Sequence, residues 1–222
     1  MKRIIIIGEG QTEQSFCNDL LKFHFIKHKI LIENPTIRKT HGGIVNWKAL
    51  KYQIENHLKQ DTTAIVTTLI DYYGMYEHHE YPEWAATQNL IDKTERLAKI
   101  ENSMLNEIDA GLRRRFIPYI QLHEFESLLF SKESAIVDLI PDELLIGKAE
   151  LEELMVQYPN PEMINNAPET SPSHRLKKII KGYSKVLHGE LICEGIGLDQ
   201  LRLKCPHFNE WVSCMERIQI VI

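Results

Sequence analysis

Four consecutive isoleucines, Ile4 to Ile7, open the hydrophobic pattern of the chain, and no polar residue alternates with them. An unbroken β-branched run of this kind predicts a strand buried on both faces, as in a parallel sheet. Gly8-Glu9-Gly10 breaks the run, Thr12 stands at an N-cap position, and Phe16, Leu20, Phe23 and Lys27 follow at helical spacing. Lys29 to Glu33 predicts a second strand, ended by Asn34-Pro35. Trp47, Leu50, Ile54 and Leu58 lie at steps of three, four and four and predict an amphipathic helix. Thr62 to Ile70 predicts the strongest strand of the chain, closed by Asp71. Strand, helix, strand, helix, strand is an α/β opening with right-handed crossovers.

Further on, the stretch from about Trp84 to Leu112 is polar and helical in pattern, with Leu90, Ile91, Leu97, Ile100, Met104 and Ile108 facing inward. Arg115 to Leu122 predicts a fourth strand, although it contains Pro118, and sheets confine proline to edges and bulges. His123-Glu124-Phe125-Glu126 follows. Ser131 to Tyr158 reads as helical with a break and restart at Pro141, and Pro159 to Pro172 as a long loop. The remainder is mainly helical, with Lys177, Lys178, Lys181 and Lys185 expected along one helix. The whole predicts an α/β fold. A mostly parallel sheet flanked by helices occupies about residues 1–130, and a mainly helical part, 131–222, packs back on it as one compact unit.

Composition narrows the class. With 222 residues, 43% hydrophobic and 26% charged, the chain is globular and long enough to bury a core without staples. A net charge of −5 means that bulk charge does not hold it to nucleic acid; such a role needs a local basic patch or metal ions. Cys17, Cys193, Cys205 and Cys214 form no CxxC pair, which predicts reduced, mostly buried thiols of a cytoplasmic protein. The apolar run after Met1-Lys2-Arg3 ends too early for a signal peptide, and no segment reaches the roughly 18 apolar residues of a membrane span.

Acids fall at three strand ends. Glu9 follows the first strand, Asp71 ends the third, and Glu124 and Glu126 follow the fourth, where open α/β sheets form their ligand crevice. If residues 123–126 stay extended, Glu124 and Glu126 share a side; if they turn helical, they diverge by about 200°. Converging carboxylates repel unless a cation joins them, and hard Mg²⁺ or Mn²⁺ prefers such oxygen ligands. Taken singly, each acid reads rather as a helix cap or a solvated loop residue; it is the three strand ends together that point to a metal. A rival reading takes Gly8-x-Gly10, with Glu33 beyond, as the start of a dinucleotide fingerprint. Glu13 occupies its third glycine position, where a carboxylate would repel a pyrophosphate.

Other residues give weaker signals. His78 and His79, with Glu77 and Glu80, suggest a transition metal, but adjacent side chains point apart, which favours a solvated loop. His41, before two glycines, either lines the cleft or sits in a plain turn. Arg113 to Arg115 read as a solvated helix end or a phosphate contact. Arg175, Lys177 and Lys178 are the better basic candidate for nucleic acid if the preceding loop carries Arg175 to the carboxylates; otherwise they form an exposed lysine-rich face.

Glu9-Gly10-Gln11-Thr12-Glu13 after a hydrophobic strand resembles the E-G-x-T-E signature of Toprim domains, shared by topoisomerases, primases and OLD-type nucleases. Asp71 matches the first acid of the Toprim D-x-D, while its second acid is Tyr73 here. More closely, the chain resembles a bacterial Toprim-like family of unknown function, often encoded beside an ATPase in defence-type clusters. That resemblance rests on GEGQTE, His41-Gly42-Gly43, Asp71-Tyr72-Tyr73-Gly74, Phe116 to Gln121, His123 to Glu126 and Pro168 to Ser173. It implies a Toprim-like core and an Mg²⁺- or Mn²⁺-dependent nuclease acting on DNA or RNA. Glu9, Asp71, Glu124 and Glu126 would hold the metal, with Glu13 and His41 behind them. The alternative is a non-catalytic or conditionally active subunit that binds an ATPase partner.

Overall fold

In the computed structural model, which describes residues 1–38, 43–164, 167 and 169–218, the isoleucine run lies in β1 (Lys2–Gly8) near the middle of a parallel sheet. β2 (Ile30–Glu33) pairs with one side of β1 and β3 (Ile65–Asp71) with the other. The run carries no alternation because both faces are covered. Ile4 and Ile6 join the core beneath the C-terminal helices, while Ile5 and Ile7 join the core beneath α3 (Trp47–Gln60) and α4 (Lys93–Glu107). Asn46 caps α3, its side chain accepting the Ala49 N–H at 2.9 Å.

The fourth strand is interrupted where proline requires it. β4 (Phe116–Ile117) and β5 (Ile120–Gln121) both pair parallel with β3, and Pro118 and Tyr119 lie between them. Thr68 bridges the gap: its hydroxyl donates to the Tyr119 carbonyl (2.7 Å) and accepts from the Tyr119 N–H (3.1 Å). A side chain from β3 thus replaces the missing ladder bonds, and the strand resumes in register.

Two helical expectations are corrected. The first helical segment begins at Gly10 rather than Thr12, and runs as α1 (Gln11–Phe16), a π turn (Cys17–Leu21) and α2 (Lys22–Lys27). A π turn holds an extra residue, so the face that includes Phe16 does not continue at α spacing; Phe25 is buried and Phe23 is 67% exposed. The stretch from Trp84 to Leu112 is helical only in α4. Asp92 fixes the start, its side chain accepting the N–H groups of Thr94 (2.8 Å) and Glu95 (3.3 Å). Ile91 therefore precedes the helix and is exposed, and Leu90 is half-buried.

The C-terminal half supplies α5 (Glu133–Val137), α6 (Lys148–Gln157), α7 (Pro172–Ile179), α8 (Lys185–Ile196), α9 (Leu198–Lys204) and α10 (Pro206–Glu216). Their apolar residues share one core with Ile4, Ile6 and Leu69. The expected single row of lysines is divided. Lys177 and Lys178 lie on α7, Lys181 in the turn that Gly182 makes at φ +76°, and Lys185 begins α8. All four cysteines are free, three of them buried. Among the described residues no helix is long and apolar enough to cross a membrane.

Candidate active site at the carboxyl edge of the sheet

Each strand-end acid is held by a backbone N–H of a segment further along the chain. Glu9 leaves β1, and its Oε1 accepts the N–H of Asp71 at 2.8 Å. Asp71 ends β3, and its Oδ1 accepts the N–H of Phe125 at 2.9 Å. Glu124 follows β5, and its carboxylate accepts the Ser173 N–H (2.8 Å) and the Ser173 hydroxyl (3.1 Å) in the first turn of α7. Glu9 and Asp71 each spend one oxygen in this chain of hooks, which leaves the other for a further partner.

Local backbone explains the convergence. Gly8 permits the strand-to-helix turn, because a Cβ there would come within 3.0 Å of Glu13 Cβ. Glu13 is buried and turns back to accept the Gly10 N–H at 2.8 Å, so it caps its own helix behind Glu9. On the β5 side, His123 adopts the left-handed region (φ +67°) and its carbonyl accepts the Tyr73 N–H at 2.7 Å. That bend turns Glu124 toward the cleft.

Glu9, Asp71 and Glu124 line one cavity of about 470 Å³, together with Tyr73, Gly74, His78, His79 and Lys185. Glu126 lies beneath it, 1% exposed, with Lys185 Nζ 2.6 Å from its Oε1 and no hydrogen-bond partner for Oε2. Among the described residues, carboxylates therefore outnumber cations around the cavity. Burial pushes Glu9 up to about 7, and the charges of Glu13 and Glu126 add to the rise. Asp71 is raised well above its ordinary value by burial and then by Glu9, Glu13 and Glu126. Burial also raises Glu13 and Glu126, the latter against the pull of Lys185. Burial works against the Lys185 ammonium, but Glu126 and Asp71 outweigh it and its pKa rises.

An all-oxygen donor set with surplus charge and an orphaned buried carboxylate oxygen suits a hard divalent cation. Among the described residues, no three cleft carboxylates bring ligand atoms within 4.8 Å of one another. Three of them would have to draw inward to share one ion.

Several expected residues lie elsewhere. Arg175 does not reach the cleft: its Nε donates to the Thr170 carbonyl at 2.8 Å, and its guanidinium stands 4.0 Å from Glu150 and 6.0 Å from the Tyr158 ring. Ser173 faces Glu124, and two helical steps of about 100° turn Arg175 away from that carboxylate. Lys177 and Lys178 are exposed on α7 and do not line the cavity. Glu33, the acid a dinucleotide site needs, pairs with Arg3 at 3.0 Å. His41 and Gly42 lie outside the described residues. His78 and His79 occupy an exposed turn at the cavity rim, where His79 Nδ1 accepts the Tyr76 N–H at 3.0 Å. The sequence pattern did not single out Lys185, which reads there as one more lysine of a polar helix; nothing local marks it.

A comparison with protein families gives a match. The model of a family described as a domain of unknown function (DUF4276) covers residues 8–216, nearly the whole chain. No curated protein and no solved structure matches.

Proposed function

The chain belongs to the DUF4276 family, and on that premise we propose that it is a divalent-metal-dependent phosphodiesterase that cleaves DNA or RNA. The observation that carries this reading is the convergence of Glu9, Asp71 and Glu124, from three parallel strands, on one cavity with surplus negative charge. Glu9, Asp71 and Glu124 would hold Mg²⁺ or Mn²⁺, with Glu126 and Glu13 behind them. When bound, the metal supplies Lewis acidity toward a phosphoryl oxygen and lowers the pKa of a coordinated water. Lys185, the one lysine at the cavity wall among the described residues, contributes its charge to an anionic phosphate. The backbone hooks hold the acids in place without consuming both oxygens of Glu9 or Asp71.

The test is cleavage of labelled DNA and RNA by the purified chain in Mg²⁺ or Mn²⁺. Glu9→Gln and Asp71→Asn should each abolish cleavage with the fold intact by circular dichroism. Full activity in EDTA, or in both variants, sinks the proposal.

A second reading rests on Tyr73, which lines the cavity where a second D-x-D acid would stand, and on Lys185 as the one Lys or Arg among the described cavity residues. Both favour a conditional subunit, in which an ATPase partner brings the basic surface and the trigger. Cleavage that appears only when the neighbouring ATPase is added supports this reading; cleavage by the isolated chain supports the autonomous enzyme.

A further inference from the structure

Far from the cavity, α2 and α10 place two imidazoles and a carboxylate together. His24 and His28 are four residues apart in sequence, which brings their rings to the same side of the helix end, with centroids 4.8 Å apart. His24 Nε2 lies 2.6 Å from Glu216 Oε1, across 192 residues of sequence. One ligand atom from each of His24, His28 and Glu216 falls within 4.8 Å of the others, the one such trio among the described residues.

The carboxylate is already oriented. Arg202 grips it with both terminal nitrogens, at 2.6 Å and 3.0 Å, and is itself held by Asn209 (2.8 Å) and Ser213 (3.1 Å). Support of this kind around a ligand is what fixes a metal-binding carboxylate in place. His28 is exposed and His24 lines an open cleft of about 480 Å³, so an ion can enter and water can fill its remaining positions.

We infer that His24, His28 and Glu216 form a second metal site, selective for a transition ion such as Zn²⁺ or Co²⁺ and tying the second helix to the last. Two imidazoles and one carboxylate match the borderline-soft preference of these ions, whereas the all-oxygen cavity suits Mg²⁺. The ion replaces the direct His24–Glu216 hydrogen bond with two metal–ligand bonds and recruits His28, which makes no hydrogen bond to either. Because the ligands come from both ends of the chain, binding favours the folded state over the unfolded one.

The site is tested in the full chain carrying Asp71→Asn, which disables the cavity, after stripping with EDTA. Calorimetry should show one Zn²⁺ bound per chain, and near-saturating Zn²⁺ should raise Tm by roughly 3–8 °C. Adding His28→Ala, an exposed position whose loss leaves the fold intact, should weaken Zn²⁺ binding at least about tenfold and remove the Tm shift. Co²⁺ should give visible ligand-field bands without thiolate charge transfer. Absence of Zn²⁺ uptake, affinity unchanged by His28→Ala, or a thiolate band that assigns the ion to a cysteine overturns the inference.

Discussion

Glu162 is buried and Glu9 half-buried at the cavity wall, but the fold completes only the first of them. Glu162 sits under the first turn of α10, where its Oε2 accepts the His207 N–H (3.0 Å) and its Oε1 the Phe208 N–H (2.9 Å). Both oxygens are used, and the positive end of a helix faces the charge. Glu9 receives one N–H on one oxygen and has Glu13, Asp71 and Glu126 as charged neighbours; among the described residues they share a single lysine. Burial raises the pKa of both. A buried carboxylate therefore does not by itself mark a site. What marks the cavity is a group of carboxylates whose charge the described residues leave uncompensated. Glu124 stands between the two cases, completed by Ser173 yet facing the cavity.

That contrast predicts different responses to removing each acid. The largest effect is on chemistry. Asp71→Asn should lower cleavage at least about a thousandfold, ~4 kcal/mol of barrier, while Glu162→Gln should leave the turnover of its folded fraction near wild type. Assays on both variants decide whether the two regions differ in kind. Next in size is stability. Glu162→Ala strands the His207 and Phe208 N–H groups at a buried helix start and should cost about 2–3 kcal/mol; a urea midpoint unchanged from wild type would erase the distinction.

Metal should separate the regions further. Mg²⁺ at ten times its Kd should add about 1.4 kcal/mol, seen as a Tm increase in wild type and in Glu162→Gln but not in Asp71→Asn. The last effect concerns pH. An acid whose folded pKa exceeds its unfolded value binds its proton more tightly when folded, so its contribution to stability falls as pH rises between the two. For Glu9 that window runs from the ordinary value near 4.3 to about 7. Metal-free Glu9→Gln should therefore gain on wild type as pH rises from 5 to 8, by about 2–3 kcal/mol. A variant less stable than wild type at pH 8 would show that Glu9 serves the fold as Glu162 does.

Much of the architecture was legible in residue order. The unbroken Ile4–Ile7 run announced a strand covered on both faces, the spacing from Trp47 to Leu58 announced α3, and Asp71 was placed at the end of β3. These features are local: burial on one or two faces writes its period directly into neighbouring residues. The strand-end acids were legible for the same reason, since parallel strands deliver their last residues to one edge. The π turn that exposes Phe23 and the cap that excludes Ile91 from α4 lay beyond periodicity, which assumes an uninterrupted helix.

The partners of those acids are a different matter. Lys185 reaches Glu126 across 59 residues, Ser173 reaches Glu124 across 49, and α7 turns Arg175 away from the cavity it was expected to enter. No period in the chain encodes such meetings. They depend on how α7 and α8 pack against the sheet, and packing is set by the summed fit of a core rather than by any pair of residues. Residue order thus carried the strands, the main helices and the edge at which the acids emerge, while the balance of charge around them arose only when distant helices closed over that edge.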